Sequence, residues 1–345
     1  MNSSNQLLTS ALQLLRAAEI RVVSGGPADM LLILPDGRTQ AVQVKVRLKP
    51  PPPSLLENLR LRYPDARFLF VTTHTTPYLR RLAERGGVDV IAVHESVAIF
   101  SGTTITIPTP SDGGPEAPVV RRGRKPWTRW AVERILLLTD QPMTQVDLAA
   151  TLAVTQQSVS HVLRHHRYAT RTENGWILEQ RSDSLEMHLN EYPGPGGAST
   201  YWYGLDPAVR QGADAAKFTA EMGVDCLQTG DIAADVYAPW RLPAIASLYT
   251  RELLDFTPAG FTPASDSEHT LEATVPEDPT VWRTAKAAAE LPPVRVDPIV
   301  VLQGVAPVRV DPIIALHDVL RSPGADAVEA AEHLRSAIEE GTWRG

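Results

Sequence analysis

Hydrophobic spacing along the chain switches between the helical period and the period of two that marks strands, and the switches divide it into three stretches. In the first, a helix is predicted over 6–18, followed by strands at 20–23, 30–34 and 41–48, the last two joined through Asp36-Gly37. A helix at 55–63, a strand at 67–72, a helix at 77–85 and a strand at 88–93 complete it. The run Pro50-Pro51-Pro52-Pro53 reads as a stiff, extended connector inside this unit. In the second stretch, residues 130–138 carry apolar side chains at helical spacing and stop at Asp140-Gln141-Pro142. Thr144 can cap a helix over 145–152, with Asp147 completing a capping box, and Thr155 can cap another over 156–166. Residues 168–178 read as two short strands around Asn174-Gly175. The third stretch predicts helices at 213–222 and 231–238, strands at 225–228, 244–250 and 269–275, and closing helices at 313–321 and 325–340.

Two segments, 108–118 and 192–200, are rich in Pro, Gly and Ser and poor in large apolar residues, so they read as linkers that cannot offset their ordering entropy. The expected organisation is an α+β multidomain chain: an α/β domain over 1–107, a linker over 108–119, a small domain over 120–190, a linker over 191–200, and a second α/β domain over 201–345. Late in the chain, Pro293-Val294-Arg295-Val296-Asp297-Pro298-Ile299 recurs as Pro307-Val308-Arg309-Val310-Asp311-Pro312-Ile313. Two copies are too few for a solenoid, and a duplication inserted in a loop is the plainer reading.

With 43% hydrophobic and 21% charged residues, the composition is that of folded domains and excludes global disorder. No apolar run reaches membrane-spanning length and the N-terminus has no signal-like pattern, so a cytoplasmic protein without membrane contact is expected. The single cysteine, Cys226, excludes an internal disulfide or a cysteine zinc site and reads as a core strand residue. The net charge of −7 is unevenly spread: between Arg121 and Arg171 nine basic residues face three acidic ones, a local +6 that leaves −13 for the rest.

That charge coincides with the capped helices. In the helix over 156–166, Val159, Val162 and Leu163 share one face, while Gln156, Gln157, Ser158, Ser160, His161 and Arg164 present hydrogen-bonding ends suited to base edges in a major groove. His165, His166 and Arg167 would meet phosphates, the hairpin would act as a wing with Arg171 reaching backbone or minor groove, and Arg121, Arg122, Arg124 and Lys125 form a basic arm. Thr144 and Thr155 stand at the helix starts of this candidate interface. The competing reading is a helical hairpin used only for packing or dimerisation. Trp127-Thr128-Arg129-Trp130, residues 144–149 and residues 154–160 resemble the winged helix of MarR-type regulators and of AbiEi-type antitoxins of type IV toxin–antitoxin systems, and the three-part layout resembles the latter over most of the chain. The AbiEi-type resemblance also takes in residues 62–66, 76–80 and 88–91, where it implies no catalysis, and it implies repression of the protein's own operon with a toxin encoded nearby.

The element order of the first stretch is that of restriction-endonuclease-like folds, whose carboxylates hold Mg²⁺ while a lysine orients the attacking water. Here Asp29 stands in the first position, but Gln43-Val44-Lys45 puts an amide where the second acid belongs, so an inactive, degenerate nuclease-like domain is expected. Thr229-Gly230-Asp231, leading from a strand into a helix, is similar to the opening of nucleotidyltransferase folds. Residues 244–249, where such enzymes carry paired carboxylates, have none, so the triplet reads as a helix N-cap. Together these features predict a sequence-specific regulator of double-stranded DNA, a homodimer with neither enzymatic activity nor cofactor or metal, that presents an acidic C-terminal domain to a toxin or other protein partner. The alternative is a Mg²⁺-dependent nuclease targeted by the winged helix and using Asp29, Gln43 and Lys45.

Overall fold

In the first stretch, helix α1 (Ser3–Ala17) buries Leu7, Leu8, Ala11, Leu12 and Leu15 along one face. The computed structural model describes residues 3–26, 28–106, 125–290 and 308–344. Strands β1 (Arg21–Gly25), β2 (Asp29–Ile33) and β3 (Thr39–Arg47) form an antiparallel meander. Helix α2 (Pro53–Arg62) crosses to β4 (Phe68–Thr72), parallel to β3, and α3 (Pro77–Glu84) crosses to β5 (Asp89–Ala92), parallel to β4. Pro53, at the end of the proline run, opens α2, where its missing N–H costs nothing. Alternation sends Leu32, Val42, Val44, Leu69 and Ile91 to the core under α1. Phe68, Phe70, Val90 and Ile99 pack with Leu56, Leu79 and Ala83 of α2 and α3 on the other face.

Three strands of this sheet were not expected. β6 (Val97–Phe100) and β7 (Thr103–Thr106) form a hairpin through Ser101-Gly102, both at positive φ, as a tight two-residue turn requires. The eighth strand is β13 (Leu253–Leu254), which pairs antiparallel with β1 from the far half of the chain. Nearby, Arg21 Nε donates to Asp255, and Arg16 donates to the carbonyls of Tyr201 and Ala264. The first and third stretches therefore share a core, in which Ala198, Leu253 and Val275 join the α1 cluster.

The middle stretch folds as α4 (Trp127–Leu138), α5 (Gln145–Leu152), α6 (Gln156–His165), the hairpin β8 (Ala169–Thr172) and β9 (Gly175–Leu178), and α7 (Arg181–Glu191). It is not a free-standing unit. Every residue from Trp130 to Leu138 is buried, and Trp130, Leu137 and Leu138 belong to a core shared with the C-terminal helices. The expected linker at 192–200 is interior structure as well: Tyr192, Gly194, Pro195, Gly197 and Ala198 are buried. Glycine is needed there because Gly194 (φ +85) would put a Cβ 2.4 Å from the His317 ring, and Gly197 (φ +117) would put one 2.0 Å from the Val275 carbonyl oxygen. The linker expected at 108–119 lies outside the described residues.

In the third stretch, β10 (Ala198–Tyr203), α8 (Ala208–Glu221), β11 (Cys226–Thr229), α9 (Gly230–Tyr237), β12 (Ala246–Thr250), β14 (Thr262–Pro263) and β15 (Leu271–Val275) build a sheet in the order β11-β12-β15-β10-β14. Only β12 and β15 run parallel in it. Helices α10 (Val281–Glu290), α11 (Pro312–Val319) and α12 (Ala327–Glu340) close the fold. The first copy of the repeat lies outside the described residues. The second copy is a correction to the loop reading: Val310 is buried and Asp311 caps α11 by accepting from Ile313 and Ile314 N–H, with Pro312 as the first helical residue. Cys226 lies on β11 against the core, and burial pushes its thiol up to about 12.

Candidate nucleic-acid interface

Helix α5 starts where Thr144 Oγ1 accepts from Asp147 N–H at 3.1 Å, and the Thr144 hydroxyl donates to the Asp147 carboxylate at 2.7 Å. The two side chains thus bond each other, a variant of the expected box. Ala153 ends α5 in the left-handed region, its N–H returning to Ala149 and Ala150 carbonyls. Thr155 then caps α6, accepting from Ser158 N–H at 3.2 Å, with the two hydroxyls 2.8 Å apart. A β-bridge between Met143 and Trp176 adds a third strand segment to the hairpin, tying the wing to the α4–α5 connection. The hairpin turn itself is Glu173-Asn174, because Gly175 already pairs with Thr172.

Only Val159 and Leu163 of α6 are fully buried. Gln156, Gln157, His161, Arg164 and His165 are exposed, with Ser158, Ser160 and Val162 at the margins. Arg164 Nε donates to the Ser160 carbonyl, and His165 Nδ1 donates to that of His161 at 2.7 Å, so these side chains lie along the helix. The His161 and His165 rings sit 4.6 Å apart. Arg167 lies over the Tyr168 ring, exposed, and Arg171 is exposed on β8.

Other charges of the basic segment are engaged elsewhere. Lys125 pairs with Glu277 at 2.8 Å and sits over Trp127. Arg129 bonds both Glu133 and Glu191. Arg134, counted in the local +6, is wholly buried between Asp278 and Asp311, at 3.4 and 3.3 Å, and donates to Thr280. His166, expected to meet phosphate, turns its ring inward, with Nε2 3.5 Å from Glu133 and its side chain 2% exposed. Arg121, Arg122 and Arg124 lie outside the described residues. Among the described residues of this segment, Arg164, Arg167 and Arg171 are exposed, whereas Arg134 is buried and Lys125 and Arg129 are paired.

Beneath α6 lies a buried carboxylate. Burial alone would raise the Glu133 pKa, but the nearby His166 ring, the hydrogen bond from His188 and the charge of Arg129 outweigh it and hold this carboxyl well below the usual range. His188, stacked on Tyr192, has its own pKa lowered by burial despite Glu133. The Arg134 guanidinium is held charged: its burial is outweighed by Tyr192, Asp278 and Asp311. One flank of α6 borders a cleft of about 1330 Å³. Gln157, His161 and Arg164 line it together with Thr280 and Arg283, which precede and open α10. No sequence signal near α6 pointed to these last two.

At the first sheet, the β2–β3 register puts Asp29 directly opposite Gln43, and Lys45 follows on the same face, its ammonium 5.9 Å from the Phe68 ring centre. Among the described residues, no group of three or more His, Cys, Asp or Glu side chains could hold a metal ion. In the third stretch, Thr229 occupies the N-cap position of α9 without a side-chain cap bond. Its hydroxyl donates instead to Asp318 at 2.5 Å, as does Tyr249 at 2.7 Å. Asp231 pairs with Arg241 at 2.7 Å. A carboxylate does approach this corner, but it comes from α11 and is already bonded. Among the described residues, no helix is long and apolar enough to cross a membrane. No family model, no curated protein and no solved structure matches the chain.

Proposed function

We propose that this protein is a sequence-specific double-stranded-DNA-binding regulator that reads bases with α6 and braces the backbone with the β8–β9 hairpin. The observation that carries the reading is the coincidence, on one capped helix, of a packed side at Val159 and Leu163 with an exposed side of Gln156, Gln157, His161 and Arg164. Glutamine and arginine can make paired hydrogen bonds to adenine and guanine, and such contacts discriminate bases by about 1–3 kcal/mol each. Arg167 and Arg171 supply phosphate attraction. Binding as a homodimer to paired half-sites, repression, and a toxin or other protein partner for the C-terminal domain belong to the same proposal. The test is retention of genomic fragments by the purified full chain, beside Gln157→Ala and Arg164→Ala, with Mg²⁺ present and the DNA then run on a denaturing gel. Specific retention of intact DNA that both substitutions weaken is the expected result; no retention by the wild type overturns the reading.

A second reading, Mg²⁺-dependent cleavage at Asp29, Gln43 and Lys45, is favoured by the register that sets Asp29 opposite Gln43, with Lys45 two residues further along β3. It has one carboxylate and one amide where two charges serve best. Its signature is cut DNA, abolished in Lys45→Ala while retention persists.

A further inference from the structure

The cleft along α6 has walls of different origin. One is α6 itself; the other is the corner at 279–283, which enters α10 from the C-terminal sheet. Arg283 lies in the first turn of α10, exposed, while Val281, Thr284, Ala285 and Ala288 are buried and fix the backbone beneath it. The same corner is anchored under α4, because Asp278 and Thr280 bond the buried Arg134 guanidinium. The backbone of Arg283 is thus held beside α6, although 119 positions separate it from Arg164.

The charges in the cleft are one-sided. Glu191 is the only carboxylate among the described residues lining it, and Arg129 already pairs with it. Lys125 is neutralised by Glu277. Arg164, Arg167 and Arg283 remain, three arginines lining one open channel in which, among the described residues, the single carboxylate is already paired. Cations gathered in a cleft focus a positive potential that a polyanion relieves. Guanidinium groups suit phosphate oxygens in particular, through paired N–H donors.

We infer that one strand of the DNA backbone runs through this cleft and that Arg283 forms an ion pair with a phosphate there, so that the C-terminal half of the chain is part of the DNA interface. The inference rests on the DNA-binding reading above and extends it beyond the winged helix. A phosphate contact carries no base information, so its loss weakens all sequences alike and lowers the salt dependence.

The experiment is equilibrium binding of the full chain to a retained fragment and to a scrambled duplex over a salt series. Wild type is compared with Arg283→Ala, Arg283→Glu, Arg164→Ala and, away from the cleft, Arg210→Ala, whose side chain pairs with Asp214 on α8. Arg283→Ala is expected to weaken both DNAs by the same several-fold factor and to reduce the slope of log K against log salt by about 0.9. Arg283→Glu weakens both further, and Arg210→Ala matches wild type. Unchanged affinity and slope in Arg283→Ala, with Arg164→Ala still impaired, overturns the inference and leaves the DNA-binding reading standing. A loss confined to the retained fragment overturns the phosphate assignment. Failure of the wild type to bind either DNA overturns the DNA-binding reading itself.

Discussion

Helices α4 and α6 belong to the same three-helix unit, yet they treat charge in opposite ways. In α4 nine consecutive residues are buried, and two of them, Glu133 and Arg134, are ionisable. Each is matched on several sides, Glu133 by Arg129, His166 and His188, and Arg134 by Asp278 and Asp311. In α6 the polar groups face outward and bond only along their own helix or not at all. A buried charge is costly unless its partners are in place, so α4 is specified by residues 278 and 311, far away in sequence. Helix α6 needs only its cap and two apolar anchors. The first helix serves as an axle seated in the C-terminal core, and the third is the surface that it presents.

The largest effect expected from this contrast is on stability. Arg134→Met leaves Asp278 and Asp311 buried without their cation and should cost about 3–5 kcal/mol, read as a lower urea midpoint. A loss below about 1 kcal/mol would mean that the network adds little. On α6 the sign of the experiment reverses. On the proposed reading, Gln157→Ala and Arg164→Ala should each weaken binding to a retained DNA fragment by about 1–3 kcal/mol, with urea midpoints unmoved; equal losses in stability and binding would erase the distinction between the helices.

Acid should separate the two helices next. Because the folded-state pKa of Glu133 is depressed, its contribution is complete above the ordinary carboxylate value of about 4.3 and is lost as pH falls below it. His188, buried and lowered from its usual value, destabilises in the same direction, beginning as pH falls below about 6.5. Between pH 5 and pH 3.5 the wild type should therefore lose stability faster than Glu133→Gln, by at most about 1.4 kcal/mol per pH unit. Parallel curves would show that Glu133 is not the linked group. The smallest effect is at the cap: Thr155→Ala should cost about 1 kcal/mol by thermal denaturation, with a larger proportional loss in DNA binding if the first turn of α6 frays.

What could be read from the sequence follows the range of the forces involved. The capped helices, the hairpin, the β1–β5 unit and most C-terminal elements rest on periodicity and on turn or cap residues a few positions apart, and these were legible. So was the outward face of α6. The β6–β7 hairpin was missed although Ser101-Gly102 marked it, a local signal left unread. The rest depended on distant partners. Arg134 counted as one of nine basic residues in the segment until Asp278 and Asp311 were placed beside it, and His166 read as a phosphate ligand until Glu133 was found beneath it. Tyr192 to Thr200 has the composition of a linker, but its glycines serve close packing against His317 and Val275. Helix α10 was missed although Val281, Thr284, Ala285 and Ala288 stand at helical spacing, a second local signal left unread, whereas the nearness of Arg283 to α6 is set by the fold.

The two-residue strand β13 gives the sheet a history in time. During synthesis β1 emerges with its outer edge bare, and the residue that pairs with Ser24, Leu254, follows about 230 residues later. At ribosomal rates that interval is on the order of ten to fifty seconds. Throughout it the nascent domain offers an open row of backbone donors and acceptors to any neighbouring chain. Leu253 and Leu254 therefore act as a late seal, and a chain terminated before them would keep the exposed edge for its lifetime.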